Sequence, residues 1–543
     1  MSDLAAARAP QNILLRVAAI NFDATVYDTD DLSTIRGASL ILLDGVGAVE
    51  AMLRERFGAR AAIETVESGA SVLIVSIASP DGVPLAEIES AVRAHLAGEG
   101  RFPQLRHFCF AVSTDAGAGA LAERIARLEA HGRTAQYRML SAPLFDAPGK
   151  GGRPSDLSHC LPGVKADKDG ALLSAADAAR REFGRQARSG LYDAVLPRSP
   201  KGREIAKKLA DAGLGYARSL GDLRARRVGE INLPLSLHGK IALLHLDGNA
   251  FGAIRRERMA QGAGAAAAFS AYIHGKQADL LCALLEWSLQ QGDDVMILHR
   301  DGEKKLRLET LLWGGDEIVL ALPAHAAWDI AGLVCRELET WRLPREADPK
   351  QRALTHGVGL LFANYKTPIR QLRLLVEDLT EAAKTVRDRV NLQAFALETV
   401  DLPDGGLDAA RCELFQLKDC GVLHLRAGRE RGFAEADQIL RETKKRLPRS
   451  LAMKLALAAT GRDPGLVGMD LKRAHAGEEW EKFARAQLDR VLSAHDRAFV
   501  EKALFGDLPG YSAQTRAASL LNLLNLWDYI APLDEAGATE QAA

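Results

Sequence analysis

Cysteine is scarce in the sequence and is never arranged in pairs. The 543-residue chain has six cysteines and no CxxC motif; they are Cys109, Cys160, Cys282, Cys335, Cys412 and Cys420. This scatter argues against a disulfide framework and against a complete structural zinc site. We therefore expect no zinc.

A surplus of either charge is also lacking. The chain carries 70 Lys and Arg against 71 Asp and Glu, so any polyanion binding must come from local patches. We find no apolar stretch long enough to span a bilayer, and the N-terminal MSDLAAARAPQ lacks the apolar core of a signal peptide. We expect a cytoplasmic protein with no membrane partner.

The first part of the chain is predicted to run strand, helix, hairpin, helix, strand. ILLRVAAINFDA is an apolar strand and residues 34–56 are helical. AAIETVE and SVLIVSIA flank a turn at Ser68 and Gly69, and a helix at about 84–97 precedes the strand RHFCFAVS. This order is typical of a ferredoxin-like or palm fold.

The same order returns in the second half of the chain. GKIALLHLDGNAFG is a strand, 265–291 a long helix, LRLETLLW and EIVLALP a hairpin, and LTHGVGLLFANY a strand after a helix at about 325–341. A helix from 368 and an edge strand LQAFALETV follow, and the pattern from 405 onward is helical. We interpret this repeat as a duplicated palm.

The predicted fold class is therefore α+β. The predicted domains are a degenerate palm at 1–142, a linker and helical connector at 143–235, a catalytic palm at 236–402, an all-α domain at 403–530 and a disordered tail at 531–543.

Acidic residues distinguish the second palm from the first. Strand alternation places Asp247 at the open end of its first strand, and the hairpin turn supplies Asp316 and Glu317. In a palm these carboxylates converge, and converging carboxylates need a cation. The predicted cofactor is Mg²⁺ or Mn²⁺ held by Asp247 and Asp316, which activates a hydroxyl nucleophile and stabilises the leaving pyrophosphate.

Glycines flank these acids. Gly314 and Gly315 are expected to serve the tight turn, and Gly248 and Gly252 to let a triphosphate approach the backbone. In the first palm the corresponding turn begins at Glu67 and has no acid in the position of Asp316. We expect that half to be catalytically silent; it could still bind a second nucleotide or support its partner.

One simpler interpretation competes with this one. Gly-Gly followed by acids is common in solvated hairpin turns, and the motif alone would favour that interpretation. The Asp-Gly strand end upstream and the order of elements favour catalysis. Asp293 belongs to a GDD sequence that resembles a polymerase motif, but it directly follows a helix and is predicted to end it.

These motifs resemble those of the large polymerase-like subunit of type III CRISPR–Cas effector complexes, the CRISPR polymerase family. LLHLDGNAFG is similar to the family's first metal strand and WGGDEIVL to its GGDD hairpin. THGVGLLFANYKTPI and LLVEDLTEAAK are similar to its next strand and helix, and DDLSTIRGASLILLD to the helix of its degenerate palm. The resemblance covers most of the chain.

The resemblance implies synthesis of cyclic oligoadenylate from ATP within a complex that contains guide RNA, partner subunits and target RNA. Asp247 and Asp316 would hold metal and Glu317 would assist. Lys366 and Lys384 would lie near the nucleotide, and Lys384 would contact the triphosphate. Asn249 stands where the family often has an acid, close to the nucleotide.

The sequence departs from the family in three places. No HD nuclease precedes the first palm, so DNA cleavage is not expected. The zinc region is reduced to His159 and Cys160, and GGDE replaces GGDD. Two rival functions stay open: a stand-alone or diguanylate-type signalling cyclase, which GGDE also fits, and a non-catalytic scaffold for RNA and subunits.

Overall fold

The structure is a computed structural model that describes most of the chain. The described residues are 11–69, 71–79, 82–99, 102–138, 153–225, 233–300, 302–345, 348–385, 387–397, 433–459, 476–505, 513–530 and 532. The predicted tail at 531–543 and the start of the predicted all-α domain therefore lie almost wholly outside the described residues.

The first sheet is built from four strands in the predicted places. The strands are β1 (Gln11–Ile20), β2 (Ala62–Ser68), β3 (Val72–Ser79) and β4 (Cys109–Asp115). Their order across the sheet is β2-β3-β1-β4 and the neighbouring pairs are antiparallel. The helices of this part are α1 (Phe22–Thr25), α2 (Leu32–Phe57), α3 (Leu85–Ala94) and α4 (Leu121–Arg138).

Helix α2 begins where its sequence supplies a cap. Asp31 accepts a hydrogen bond from the Thr34 backbone N–H at 2.9 Å, which satisfies one of the free donors of the first turn. Among the described residues α2 alone is long and apolar enough to cross a membrane, but 72% of its apolar window is buried. The helix was predicted at 34–56, but the expectation that no apolar stretch reaches membrane-spanning length was wrong. The core helix of a soluble protein can be equally long and apolar.

A connector follows in the range predicted to be irregular and helical. Short strands β5 (Lys165–Ala166), β6 (Leu172–Leu173) and β7 (Leu214–Tyr216) alternate with helices α5 (Ala175–Gln186), α6 (Gly190–Val195), α7 (Pro200–Asp211) and α8 (Leu220–Leu223). A capping box between Ser174 and Asp177 starts α5. Ser199 caps α7, which has proline at its first position.

The second sheet has five strands in the order β11-β12-β8-β15-β16. They are β8 (Lys240–Gly248), β11 (Glu309–Trp313), β12 (Ile318–Pro323), β15 (His356–Asn364) and β16 (Asn391–Ala396). Strand β15 is antiparallel to β8 and parallel to β16. The helices here are α9 (Phe251–Ala260), α10 (Ala263–Gln291), α11 (Ala324–Glu339) and α12 (Ile369–Ala383).

Two details differ from the sequence prediction. The run LRLETLLW is not one strand, because β10 (Glu303–Leu306) pairs with β9 (Ile297–Arg300) and ends before β11 begins. The buried Arg307 lies in the break and donates to the carbonyl oxygens of Asp294 and Val295, both at 3.2 Å. A second unpredicted pair is β13 (Arg342–Arg345) with β14 (Asp348–Ala353).

The helix-ending turn predicted at the GDD sequence is confirmed. Helix α10 ends at Gln291, and Gly292 follows with φ of 70°, the left-handed conformation that glycine adopts readily after a helix. The described residues beyond 432 are mainly helical, as predicted: α13 (Phe433–Arg446), α14 (Arg449–Ala459), α15 (Ala476–Val491), α16 (Ala494–Phe505) and α17 (Ala513–Leu526). The fold class is mixed α+β, as predicted.

The chain divides into two compact units. The first unit contains Met1–Ser219, Ala250–Cys282 and Thr310–Ile318, and the second contains Leu220–Asn249, Ala283–Glu309 and Val319–Ala543. The division passes through the β11–β12 hairpin. Its turn, Gly314 to Glu317, belongs to the first unit, whereas Asp247 and Lys384 belong to the second.

Candidate functional site

Asp247 lies at the end of the central strand β8. Every residue of β8 except Asp247 is buried, and the Asp247 side chain keeps a quarter of its surface exposed. The strand is flanked on both sides within the sheet, so its interior residues pack into the core while its last carboxylate reaches the edge. The predicted position of Asp247 at an open strand end is what the structure shows.

Lys384 forms an ion pair with Asp247. Its Nζ lies 2.6 Å from Asp247 Oδ2 and 3.0 Å from Glu381 Oε1. Burial by itself lowers the pKa of Lys384, but the hydrogen bonds to Asp247 and Glu381 outweigh it and raise that pKa above its usual 10.5. The structure thus brings together two of the predicted site residues and keeps the lysine charged.

Two glycines of β15 give helix α12 its close approach to the strand. A Cβ on Gly357 would lie 2.5 Å from Lys384 Cγ and 2.8 Å from the Thr380 carbonyl oxygen. A Cβ on Gly359 would lie 2.5 Å from the Val376 carbonyl oxygen. Gly357 is also the partner of Asp247 in the strand register. The missing side chains make room for the last turns of α12, which place Lys384 opposite Asp247.

His245 lies two residues before Asp247 on β8 and contacts helix α12. His245 is 4% exposed and packs into the core. Its Nδ1 lies 2.9 Å from Thr380 Oγ1. The Asn391 side-chain amide donates to the Ala383 carbonyl oxygen at 2.9 Å, which satisfies one of the free acceptors at the end of α12. Lys384 therefore extends from a helix end that is fixed on two sides.

Asn249 faces inward rather than toward solvent. It is 6% exposed, its Nδ2 donates to Thr355 Oγ1 at 3.1 Å, and its backbone N–H donates to the Thr355 carbonyl oxygen at 2.8 Å. Gly248 beside it is buried as well. In this structure Asn249 connects the end of β8 by hydrogen bonds to Thr355, the residue before β15. Its contact with a nucleotide stays a prediction.

Lys366 lies at the other end of the sheet from Asp247. Strand β15 pairs Gly357 with Asp247 at one end and Asn364 with Lys240 at the other. The distance from Gly357 to Asn364 is about 23 Å at roughly 3.3 Å per residue, and Lys366 lies beyond Asn364. The side chain of Lys366 is exposed and its Nζ lies 6.0 Å from the Tyr365 ring centre. The structure therefore does not bring Lys366 together with Asp247.

The turn with the sequence GGDE belongs to the first unit. The Gly314 N–H donates to the Glu317 carbonyl oxygen at 2.7 Å, which closes a four-residue turn. Neither Gly314 nor Gly315 has a positive φ, so the turn does not require glycine for backbone reasons at these positions. Asp316 and Glu317 are partly buried, and both have partners.

Gly252 and the corresponding turn of the first sheet can be placed as well. Gly252 is exposed in the first turn of α9, where only Arg256 Nη1, at 3.9 Å, would approach a Cβ. In the first sheet the turn after β2 is closed by the Gly69 N–H, which donates to the Val72 carbonyl oxygen at 2.8 Å. That turn carries no acid in the position of Asp316, as the sequence shows.

A cavity of about 600 Å³ lies within the first unit beside the GGDE turn. Its polar lining includes Asp44 of α2, His274 and Gln277 of α10, and also His95 and Arg198. Trp313 and Gly314 contribute the hairpin side. Burial raises the pKa of Asp44 and lowers the pKa of His95 and of His274. The volume is in the range of pockets that hold small molecules.

The chemistry at Asp247 fits a cation. The carboxylate already holds an ammonium group at 2.6 Å, and it lies at an accessible strand end. Among the described residues no group of three or more His, Cys, Asp and Glu side chains could hold a metal ion. A site built from Asp247 and Asp316 alone, completed by substrate phosphates, stays a prediction.

Neither a protein-family model nor a curated protein matches the chain. Among solved structures, Csm1 in T.onnurineus is similar with a TM-score of 0.47 and 13% identity, over 97% of this chain and 70% of that one. The apo Csm1-Csm4 cassette gives 0.45 and 13%, over 97% and 70%. The Csm1-Csm4 cassette in complex with cA4 gives 0.43 and 14%, over 95% and 69%. Scores this low assign no residue a role.

Sequence reasoning missed four residues that shape this region. Gly357 and Gly359 had a signal, because two glycines spaced by two residues mark one face of a strand on which a backbone can lie closely. Thr380 had only the weak signal of a polar residue on the inner face of an amphipathic helix. Gln277, which contacts the GGDE turn, had none, because it lies in the middle of a long helix.

Proposed function

We propose that the chain is a metal-dependent nucleotidyl transferase that makes cyclic oligoadenylate from ATP as a subunit of a type III CRISPR effector complex. The observation that carries the proposal is the 2.6 Å pair between Lys384 and Asp247 at the open end of β8. The pair joins Asp247, at the end of a strand, to Lys384. The sequence motifs imply a metal contact for Asp247 and a triphosphate contact for Lys384. The duplicated ferredoxin-like palm architecture is part of the same proposal.

Asp247 and Asp316 are the residues that would hold Mg²⁺ or Mn²⁺ in this proposal. The ion would supply Lewis-acid activation of a 3′-hydroxyl and stabilisation of the leaving pyrophosphate. Glu317 has the same charge as the aspartate it replaces and one more methylene, so it would assist from a slightly longer reach. Guide RNA, target RNA and the other subunits of the complex are the proposed partners.

Lys384 would bind the triphosphate. Its ammonium group has three hydrogens, and Asp247 and Glu381 accept from it in this structure. A third hydrogen is then available to a phosphate oxygen. The neighbouring carboxylates hold the charged form of the lysine, as its raised pKa shows. The cavity beside the GGDE turn offers room for a second nucleotide in the first unit.

The direct test is nucleotide turnover by the full chain with ATP or GTP, Mg²⁺ or Mn²⁺, and with or without guide and target RNA. ATP and cA4, which Csm1-Csm4 cassettes were solved with, serve as substrate and reference product. Cyclic oligoadenylate from wild type, absent with Asp316→Ala, supports the proposal. A dinucleotide from GTP would favour the diguanylate-type cyclase. No product under any condition, from folded protein, would favour the scaffold.

Lys384→Met is expected to raise the KM for ATP by about 10- to 100-fold, the size of a lost charge-assisted hydrogen bond. Methionine fills most of the space of the lysine stem but provides no ammonium group. Steady-state kinetics over a range of ATP concentrations measures the effect.

Lys366→Met is the matched control for this variant. It removes the same group at the far end of β15 and is expected to leave the KM unchanged. Equal effects of the two substitutions would contradict the assignment of Lys384 to the triphosphate.

A further inference from the structure

The side chain of Gln277 holds the turn that carries Asp316 and Glu317. Its Nε2 donates to the Gly315 carbonyl oxygen at 2.9 Å and also to the Gly314 carbonyl oxygen. Gln277 is 3% exposed, and helix α10 at this residue and the turn belong to the same compact unit. One side-chain amide has two hydrogens, so it can satisfy two neighbouring carbonyl groups.

The turn needs such a support because two adjacent glycines give it little rigidity. Glycine has the widest backbone freedom of any residue. No atom would lie within 4 Å of a Cβ on Gly315, so packing does not restrict this residue. The bond from the Gly314 N–H to Glu317 closes the turn, and the Gln277 amide adds a donor at the carbonyl oxygens of Gly314 and Gly315.

We infer that Gln277 is a positioning residue for Asp316. The peptide group between Gly315 and Asp316 is planar, so a donor that fixes the Gly315 oxygen also fixes the Asp316 nitrogen. That plane also places the Asp316 Cα atom, so the direction of the Cα–Cβ bond then depends only on the φ angle of Asp316. The catalytic meaning of this inference rests on the proposed function, in which Asp316 holds metal.

The consequence for the reaction follows from the geometry that a metal ligand requires. A displacement of about 1 Å in a reacting constellation lowers a rate by about 100-fold. Loss of the Gln277 amide is therefore expected to lower kcat, while the KM for ATP, set by other contacts, stays unchanged. A residue that merely stabilised the fold would also lower the apparent kcat by reducing the active fraction, but it would lower the melting temperature and speed amide exchange beyond residues 314–317 as well.

Gln277→Leu is the test variant and Ser39→Ala its control. Leucine has a similar volume but no donor. Ser39 Oγ on α2 donates to the Leu311 carbonyl oxygen at 2.7 Å, so Ser39→Ala also removes a side-chain hydrogen bond to the same hairpin within the first unit. Of these two residues, Gln277 contacts the turn itself and Ser39 contacts the strand before it.

Hydrogen exchange of the full chain gives a readout that needs no activity. In Gln277→Leu the amides of residues 314–317 are expected to exchange about tenfold faster than in wild type, and in Ser39→Ala they are not. Turnover of ATP by the same proteins should show kcat about 100-fold lower for Gln277→Leu only.

Unchanged exchange at residues 314–317 in Gln277→Leu would overturn the inference whatever the activity. Faster exchange with an unchanged kcat would overturn the positioning role. If wild type itself turns over no nucleotide, the proposed function fails, and exchange alone decides whether Gln277 orients the turn. The two failures are therefore distinguishable.

Discussion

Asp247→Asn is expected to lower nucleotide turnover by about 1,000-fold, because a metal ligand contributes several kcal/mol to stabilising charge in the transition state. Asparagine has the shape of aspartate but lacks the negative charge that would hold a cation. Lys384 keeps Glu381 as a partner at 3.0 Å, so its ammonium group is not left without a carboxylate. The measurement is the initial rate of product formation from ATP under conditions in which wild type is active.

Asp293→Asn is the matched control for this substitution. Asp293 belongs to the GDD sequence after α10 and lies 2.9 Å from His299 Nε2 at the protein surface. The same change there is expected to leave turnover at the wild-type level. Full activity of Asp247→Asn, with the melting temperature unchanged, would remove Asp247 from the reaction and with it the main support of the proposed function.

Gly357→Ala is expected to lower both stability and turnover. The added methyl group would meet Lys384 Cγ at 2.5 Å, the Thr380 carbonyl oxygen at 2.8 Å and the Lys384 nitrogen at 3.1 Å. Two of these three atoms are backbone, so the end of α12 must move away from β15. Overpacking of this kind costs about 1–3 kcal/mol. Urea unfolding should show a lower midpoint than wild type.

The effect on turnover follows from the same movement. Lys384 is the residue immediately after α12. A displacement of the helix end therefore moves the Lys384 ammonium group away from Asp247. A loss of about 100-fold in turnover is expected for a shift of about 1 Å. A second variant, Gly359→Ala, would place its added methyl group 2.5 Å from the Val376 carbonyl oxygen, one turn further from Lys384. This variant should lower stability but have a smaller effect on turnover.

Gly275→Ala provides the control for the glycine substitutions. Gly275 is exposed in the interior of α10, and no atom lies within 4 Å of its added Cβ. Alanine there is expected to be neutral or stabilising by about 0.5–1 kcal/mol. If Gly357→Ala unfolds at the same urea concentration as Gly275→Ala, the close approach of α12 to β15 is not what the glycine serves.

Much of the local structure could be predicted because it depends on neighbouring residues. The strands β1, β3, β4 and β8 follow from their apolar runs, and α10 ends at the glycine that the sequence places after it. The position of Asp247 at a strand end is a local property too. The break between β10 and β11 was not predictable, because it depends on a buried Arg307 whose acceptors lie elsewhere in the chain.

The candidate site was predictable only in part. Asp247 and Lys384 were proposed from motifs, and the structure brings them together across 137 residues. Lys366 was proposed from the same motifs, yet the register of β15 on β8 places it at the opposite end of the sheet. Asn249 was proposed near the nucleotide because it stands where the family often has an acid, and in the structure its amide bonds inward to Thr355. Motif spacing fixes neither the register of two strands nor the direction of a side chain.

The sequence by itself determined most of the helices and strands, their order and the charged residues of the candidate site. It could do so because periodicity, capping residues and turn residues act over a few positions. Tertiary structure alone decided that Gly357 lies under Lys384, that Thr380 meets His245 and that Gln277 reaches the GGDE turn. These contacts join residues far apart in the chain, and each depends on how closely one backbone packs on another. That distance is set by the packing of whole elements, which no short window of sequence contains.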